Sequence, residues 1–200
     1  MGVVSPAALD AVTIDAYGTL LELRDPVGSF ARVAPGFERD AIDRAFRTEV
    51  DYYAGHSVEA RDEASLRELR AECARVFNAE LGSSLSPDEF MSALDFTWID
   101  GAVEAVHGLR ARGLAVAVVS NWDISLHERL APLGIAVTTS ADVGARKPDP
   151  AIFRLALERL GVVPERTLHV GDTAADEAGA RAAGISFAPA PLASLLESWA

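Results

Sequence analysis

Apolar positions in the second half of the chain come in short unbroken runs separated by longer stretches of helical period. From Gly101 onward a unit recurs, consisting of a helix-period stretch, a glycine and a short apolar run. RARGLAVAVVS, APLGIAVTTS, ERLGVV and RAAGISFA set Gly113, Gly134, Gly161 and Gly184 where a helix needs a left-handed C-terminal cap. The pattern predicts strands near 115–119, 135–139, 167–171 and 185–188, a first strand at 11–15, and helices between them. Helices alternating with short strands imply crossover connections and a parallel sheet. Asp149 followed by Pro150 reads as an N-cap with proline at the first helical position, and Ile152, Phe153, Ala156, Leu157 and Leu160 continue as an apolar stripe.

Residues 22–96 carry no strand-like run. Ile42, Ala45, Phe46, Val50 and Tyr53 keep a helical spacing, as do Leu66, Leu69, Cys73, Val76 and Phe77. Ser86, Pro87 and Glu89 form a capping box that opens a third helix. The expected class is therefore α/β: a Rossmann-like parallel-sheet core of residues 1–21 and 97–200, with a small all-helical cap domain of residues 22–96 inserted into it. That cap is expected over the carboxyl edge of the sheet, hinged near 21–24 and 96–101.

Composition narrows the partners. Half of the 200 residues are apolar, enough for one core domain, and no run reaches the roughly 18 residues of a membrane span. The amino terminus lacks a basic region followed by a long apolar stretch, so no secretory signal is read. A single cysteine, Cys73, allows no internal disulfide and suits a soluble protein of the reducing cytoplasm. The formal charge of −12 argues against nucleic acid, whose phosphates are held by clustered Lys and Arg. A small anionic substrate would meet a repulsive far field, so its site needs a local cation.

The stretch AVTIDAYGTL supplies the first chemistry. A buried-strand sequence runs into Asp15, and Gly18 lets the chain turn away, which places a carboxylate where open α/β sheets bind ligands. Val118 and Val119 lead to Ser120 and Asn121, a hydroxyl and an amide expected at the N-terminus of a helix over 124–133, with Ser120 or Asp123 also able to serve as its N-cap. Lys147, pinned between Gly144 and Pro148, is expected to reach inward, a role open also to Arg146. The strand at 168–170 leads to Asp172 and Thr173, with Asp176 four residues on, so that two carboxylates face one side and join Asp15 around a hard divalent cation. His169 reads as a core histidine with a hydrogen-bonded ring. His56, Glu59 and Asp62 form a polar cluster in the cap.

DAYGTL, VVSN, RKPDP and HVGDTAADEAGARAAG, in this order at the ends of successive strands, resemble the four motifs of the haloacid dehalogenase-like (HAD) hydrolase superfamily. The helical insertion is similar to the cap of its subfamily I, and the chain also resembles the REG-2-like group. The resemblance implies Asp15 as a nucleophile forming a covalent aspartyl intermediate, with the Tyr17 position, Ser120 and Lys147 completing the catalytic set. It implies Thr19, Ser120, Asn121 and Lys147 as substrate-binding residues. Asp15, the Tyr17 carbonyl, Asp172 and Asp176 would hold Mg²⁺ in phosphatase members.

Tyr17 departs from the phosphatase pattern, which carries a second Asp two residues after the nucleophile as general acid and base. DAYGT instead resembles the first motif of the 2-haloacid dehalogenases, where halide leaves without a proton. Those enzymes are metal-free and carry Ser and Asn where this chain has Asp172 and Thr173. Three readings stay open: a Mg²⁺-dependent phosphatase of a small phosphomonoester, a haloacid dehalogenase-type C–X hydrolase, and a weakly active or non-catalytic binding member of the family. The sequence says nothing of substrate identity or oligomeric state.

Overall fold

The computed structural model describes residues 6–199, so residues 1–5 of the expected core, and Ala200, lie outside the described residues. In chain order the elements are β1 (Ala11–Ile14), β2 (Leu21–Leu23), α1 (Pro26–Val33), α2 (Arg39–His56), α3 (Glu63–Leu81), α4 (Pro87–Ser92), β3 (Phe96–Trp98) and α5 (Ala102–Ala111). They continue as β4 (Ala115–Ser120), α6 (Ser125–Leu130), β5 (Ala136–Thr139), α7 (Ser140–Val143), α8 (Ala151–Leu160), β6 (Thr167–Gly171), α9 (Ala174–Ala182), β7 (Ser186–Pro189) and α10 (Leu192–Glu197). Among the described residues, no helix is long and apolar enough to cross a membrane.

Five strands form a parallel sheet in the order β5-β4-β1-β6-β7. All of β1 is buried, which is why its sequence runs apolar without alternation. The chain moves to one side of β1 through β4 and β5, and to the other through β6 and β7. Right-handed crossovers therefore put α5 and α6 on one face and α8 and α9 on the other. Ile152, Phe153, Ala156 and Leu157 of α8 share a buried cluster with Val119 and Ala180. The reversal of direction falls at β1, so the carboxyl end of this strand is the topological switch point where such sheets bind ligands. The four glycines expected at helix ends all take positive φ, between 58° and 80°. The helix after Asp149 starts one residue later than expected: Pro150 takes the cap position, while Asp149 Oδ1 accepts from Ala151 N at 2.9 Å.

Residues up to Glu22 together with those from Trp98 form one compact unit, and Leu23–Thr97 forms the other. The second unit is built on α1 to α4, whose centre is Phe30, Phe77 and Phe90, with ring centroids 4.4 to 5.5 Å apart. The capping box of Ser86 and Glu89 opens α4 as expected. Helix α1 has a short apolar pattern, but its start is written in Asp25-Pro26: Asp25 Oδ1 accepts from Gly28 N at 3.0 Å, with proline at the first position. The stretch from 22 to 96 is not purely helical, because β2 and β3 pair in a two-stranded sheet. Strands of three residues are too short to produce a period.

The buried face of α2 also differs from the apolar stripe. Val50 is 42 % exposed, whereas Glu49 is 5 % exposed and faces inward with Ile42 and Ala45. Burial pushes the Glu49 carboxyl up from 4.5 to about 7, against a hydrogen bond with Cys73 that lowers it. The folded chain therefore holds a proton there that the unfolded chain has released, and stability falls as pH rises from 4.5 through 7. The full loss is about 3 kcal/mol. In urea unfolding, Glu49→Gln should flatten that slope and be the more stable protein at pH 8, with little difference from wild type at pH 4.5. Parallel pH profiles for the two proteins would contradict a buried, protonated Glu49.

Candidate active site

The register of the sheet builds the site. Thr13 lies beside His169 in the β1–β6 ladder, and Asp15, two residues further on the same face, donates its N–H to Val170 O at 2.9 Å. The chain then folds back sharply, with Ala16 O accepting from both Leu20 N and Leu21 N at 2.8 Å. Gly18 at the turn has φ 79°, and a Cβ there would lie 2.1 Å from the Asp172 carboxylate. Only glycine lets Asp172 pack against this turn. Gly171 works in the same way at the end of β6, where a Cβ would come within 2.4 Å of Asp176 Cγ. Asp15, Asp172 and Asp176 consequently offer oxygens within 4.8 Å of one another, the cluster expected from the sequence.

Lys147 is the inward cation, and it is buried. Its Nζ donates to Asp15 Oδ1 at 2.6 Å, to Asp176 Oδ1 at 2.5 Å and to Val119 O at 3.1 Å, which uses all three donors of the ammonium. Asp176, at the start of α9, is saturated as well. Its Oδ1 also accepts from His169 Nε2 at 3.0 Å, and its Oδ2 accepts from Thr173 N at 3.1 Å and from Thr173 Oγ1. Gly179 admits the loop that carries the lysine, since a Cβ there would sit 3.1 Å from Pro148 O.

Electrostatics divides the carboxylates by role. Burial alone would raise the Asp176 pKa, but the His169 hydrogen bond and the Lys147 charge hold it well below the ordinary value. Asp172 goes the other way, raised by burial and then by the negative charge of Asp15. Burial also lowers the His169 pKa, against the Asp176 hydrogen bond that raises it. The cluster holds three acids against one ammonium, an excess of negative charge suited to a hard divalent cation with oxygen ligands.

Other expected site residues fall as follows. Ser120 ends β4 with a buried side chain, but no helix begins beside it. Helix α6 starts at Ser125, whose N–H is taken by Asp123 Oδ1 at 2.7 Å, so the expected helix N-terminus lies several residues away. Asn121, expected at the substrate, holds the lysine loop: Oδ1 accepts from Lys147 N at 2.7 Å and Nδ2 donates to Lys147 O at 3.2 Å. Thr19 is buried with an Oγ1 that has no hydrogen-bond partner among the described residues. Tyr17 is 47 % exposed, and burial of its remaining surface, with Glu22 and Asp172, raises its phenol above 10, so it stays protonated at neutral pH. In the helical unit Asp62 is committed to capping α3 through Ser65, and His56 stacks on Tyr52. The clamp from Asn121 to Lys147 was hidden in the sequence because the residues are 26 apart and the bonds run to main chain.

Asn121→Ala removes both ends of this clamp and leaves two Lys147 main-chain groups to find water. Urea unfolding should show a loss of about 1 to 3 kcal/mol. A change below about 0.5 kcal/mol, the range of ordinary surface substitutions, would mean that the loop is held by other contacts.

Comparison with known proteins agrees with this geometry. A family profile described as haloacid dehalogenase-like hydrolase matches residues 9–184. The bovine haloacid dehalogenase-like hydrolase domain-containing protein 3 is 33 % identical over 207 residues, covering 88 % of this chain and 80 % of that protein. Phosphoserine phosphatase of Thermus thermophilus is 45 % identical over 83 residues, 38 % of this chain and 33 % of that one. Among solved structures, L-2-haloacid dehalogenase of Xanthobacter autotrophicus superposes with a TM-score of 0.69 at 26 % identity, over 90 % of this chain and 77 % of the other. A profile match over most of the chain, on a parallel sheet with the motif residues gathered at its switch point, makes this protein a member of the haloacid dehalogenase-like hydrolase family.

Proposed function

We propose that the protein is a Mg²⁺-dependent phosphatase of a small phosphomonoester, with Asp15 as nucleophile. The observation that carries this reading is Asp172, a carboxylate packed on the Gly18 turn beside Asp15 in a cluster whose single ammonium is already shared between Asp15 and Asp176. An anionic substrate could not approach three acids and one lysine without another cation. Asp15, Asp172 and the Tyr17 carbonyl are the groups proposed to hold Mg²⁺, with Asp176, whose oxygens are occupied, standing behind them. When bound, the ion would offset the charge of the phosphate and make phosphorus more open to attack.

The residues of the chain supply the rest. Lys147 engages Oδ1 of Asp15 and leaves Oδ2 to attack phosphorus as the ester P–O bond breaks and its electron pair departs on the leaving oxygen. Water then attacks the phosphorus of the aspartyl phosphate, releasing phosphate and restoring the Asp15 carboxylate. Ser120, buried at the end of β4, and Thr19, whose hydroxyl has no hydrogen-bond partner among the described residues, are proposed to bind the phosphoryl oxygens. The helical unit takes the part of the substrate-selecting cap of subfamily I, and Tyr17 in place of the second Asp favours the REG-2-like group. One buried cysteine that forms no disulfide supports a cytoplasmic location.

The haloacid dehalogenase reading stands second, favoured by Tyr17 and by the likeness to the Xanthobacter enzyme. A halide leaves without a proton, so the missing carboxylate would cost it nothing. Turnover of small alkyl phosphates and of 2-chloropropionate, each with Mg²⁺ and with excess chelator, separates the two. The phosphatase reading expects phosphate release that needs Mg²⁺ and is lost in Asp172→Ala. Halide release undiminished by chelator would overturn it. Tyr17→Asp, once shown by melting to fold, should speed alkyl phosphate hydrolysis by about 10-fold or more, within the range of general acid catalysis. The gain should be smaller for p-nitrophenyl phosphate, whose leaving group needs little protonation. Equal, unchanged rates on both esters would show that proton transfer is not what limits this site.

A further inference from the structure

His169 is a fully buried titratable residue that the reaction above does not use. It lies beside Thr13 in the β1–β6 register, and its Nδ1 is 3.0 Å from Thr13 Oγ1 while its Nε2 is 3.0 Å from Asp176 Oδ1. An ionised carboxylate only accepts, so Nε2 carries the proton. A neutral imidazole then accepts at Nδ1, and the Thr13 hydroxyl is the donor. Phe153 meets the ring edge-on, at 4.8 Å between centroids and 86° between planes, and so limits its tilt.

We propose that Thr13 and His169 form a positioning relay that fixes the Asp176 carboxylate and, through it, the Lys147 ammonium against Asp15. Thr173 alone cannot do this. Both of its bonds to the carboxylate go to Oδ2, which leaves the position of Oδ1 to its other partners. His169 tethers Oδ1, the same oxygen that receives Lys147. Thr13 acts one step further back by holding the imidazole in the tautomer that presents N–H to Asp176. Outer partners of this kind set the orientation of groups that touch substrate. The inference rests on the proposed function only in assigning Asp15 and Lys147 to the reaction.

The two ends of the ring can be separated by substitution. His169→Gln can keep a donor near the Nε2 position, His169→Asn keeps a polar group only near Nδ1, and His169→Leu keeps neither. In steady-state hydrolysis of p-nitrophenyl phosphate with Mg²⁺, Leu and Asn should lower kcat by roughly 10- to 100-fold, with KM within about twofold of wild type. Gln should recover most of the loss. A ring that merely fills space predicts the opposite order, because Leu restores apolar volume and Gln does not. Imidazole ¹⁵N spectra of the wild type should show a bare Nδ1 and a protonated Nε2 for His169, and the nearly isosteric Thr13→Val should mix the tautomers. A protonated Nδ1 in the wild type, an unchanged kcat in His169→Leu, or a folded Gln variant as slow as Leu would overturn the relay. The spectra need no turnover, so a protein inactive on the ester would refute the phosphatase reading while the tautomer still decides this one.

Discussion

One buried ammonium organises the core. Lys147 lies between Asp15 and Asp176, the buried ion-pair partner of both carboxylates. Removing one partner from such a buried pair costs about 3 to 5 kcal/mol, because a desolvated charge is left uncompensated. The geometry therefore has to be built before it can be used. Asn121 clamps the lysine loop from β4, Gly179 lets α9 approach it, and Thr173 and His169 saturate the far carboxylate. Each of these contacts serves the position of one atom, Lys147 Nζ.

The same arrangement explains why charge is left over. Asp176 is consumed in holding the lysine, and the lysine is consumed in holding Asp15. Asp172 then stands beside Asp15 with no cation of its own among these contacts, and its pKa is raised by burial first and then by the charge of Asp15. A site with this surplus has the oxygen donors that suit a hard divalent cation. Tyr17 sits at the edge of the same turn, half exposed, with a phenol that stays protonated at neutral pH.

Much of this was legible in the sequence, for physical reasons that differ by element. β4, buried on both faces, wrote a continuous apolar run, β6 kept its apolar residues between polar ones yet was bounded nearly to the residue, and the helix-terminal glycines were marked by the positive φ they must adopt. Asp15 and Asp172 stand out because each follows a buried strand, Lys147 because its loop is stiff, and Asp176 because it lies four residues beyond Asp172. What stayed hidden depends on tertiary approach. Asn121 carries the same side chain whether it binds a substrate or a neighbouring main chain. Glu49 lies on a helix whose apolar stripe could be drawn one residue to either side, and burial selected Glu49 over Val50. The strands β2 and β3 are stabilised by each other and leave no trace in three residues.

In the proposed reaction Asp15 is the group that attacks. Acid quench of the protein during turnover of a small phosphomonoester with Mg²⁺, followed by peptide mass spectrometry, tests this directly, because an acyl phosphate formed on a carboxylate can be trapped before water reaches it. The expected result is one phosphoryl group on the peptide containing Asp15, absent in Asp15→Asn. A phosphoryl group on another residue, or an unmodified Asp15 peptide while labelled phosphate is still released by a step shown to pass through a covalent enzyme species, would contradict it.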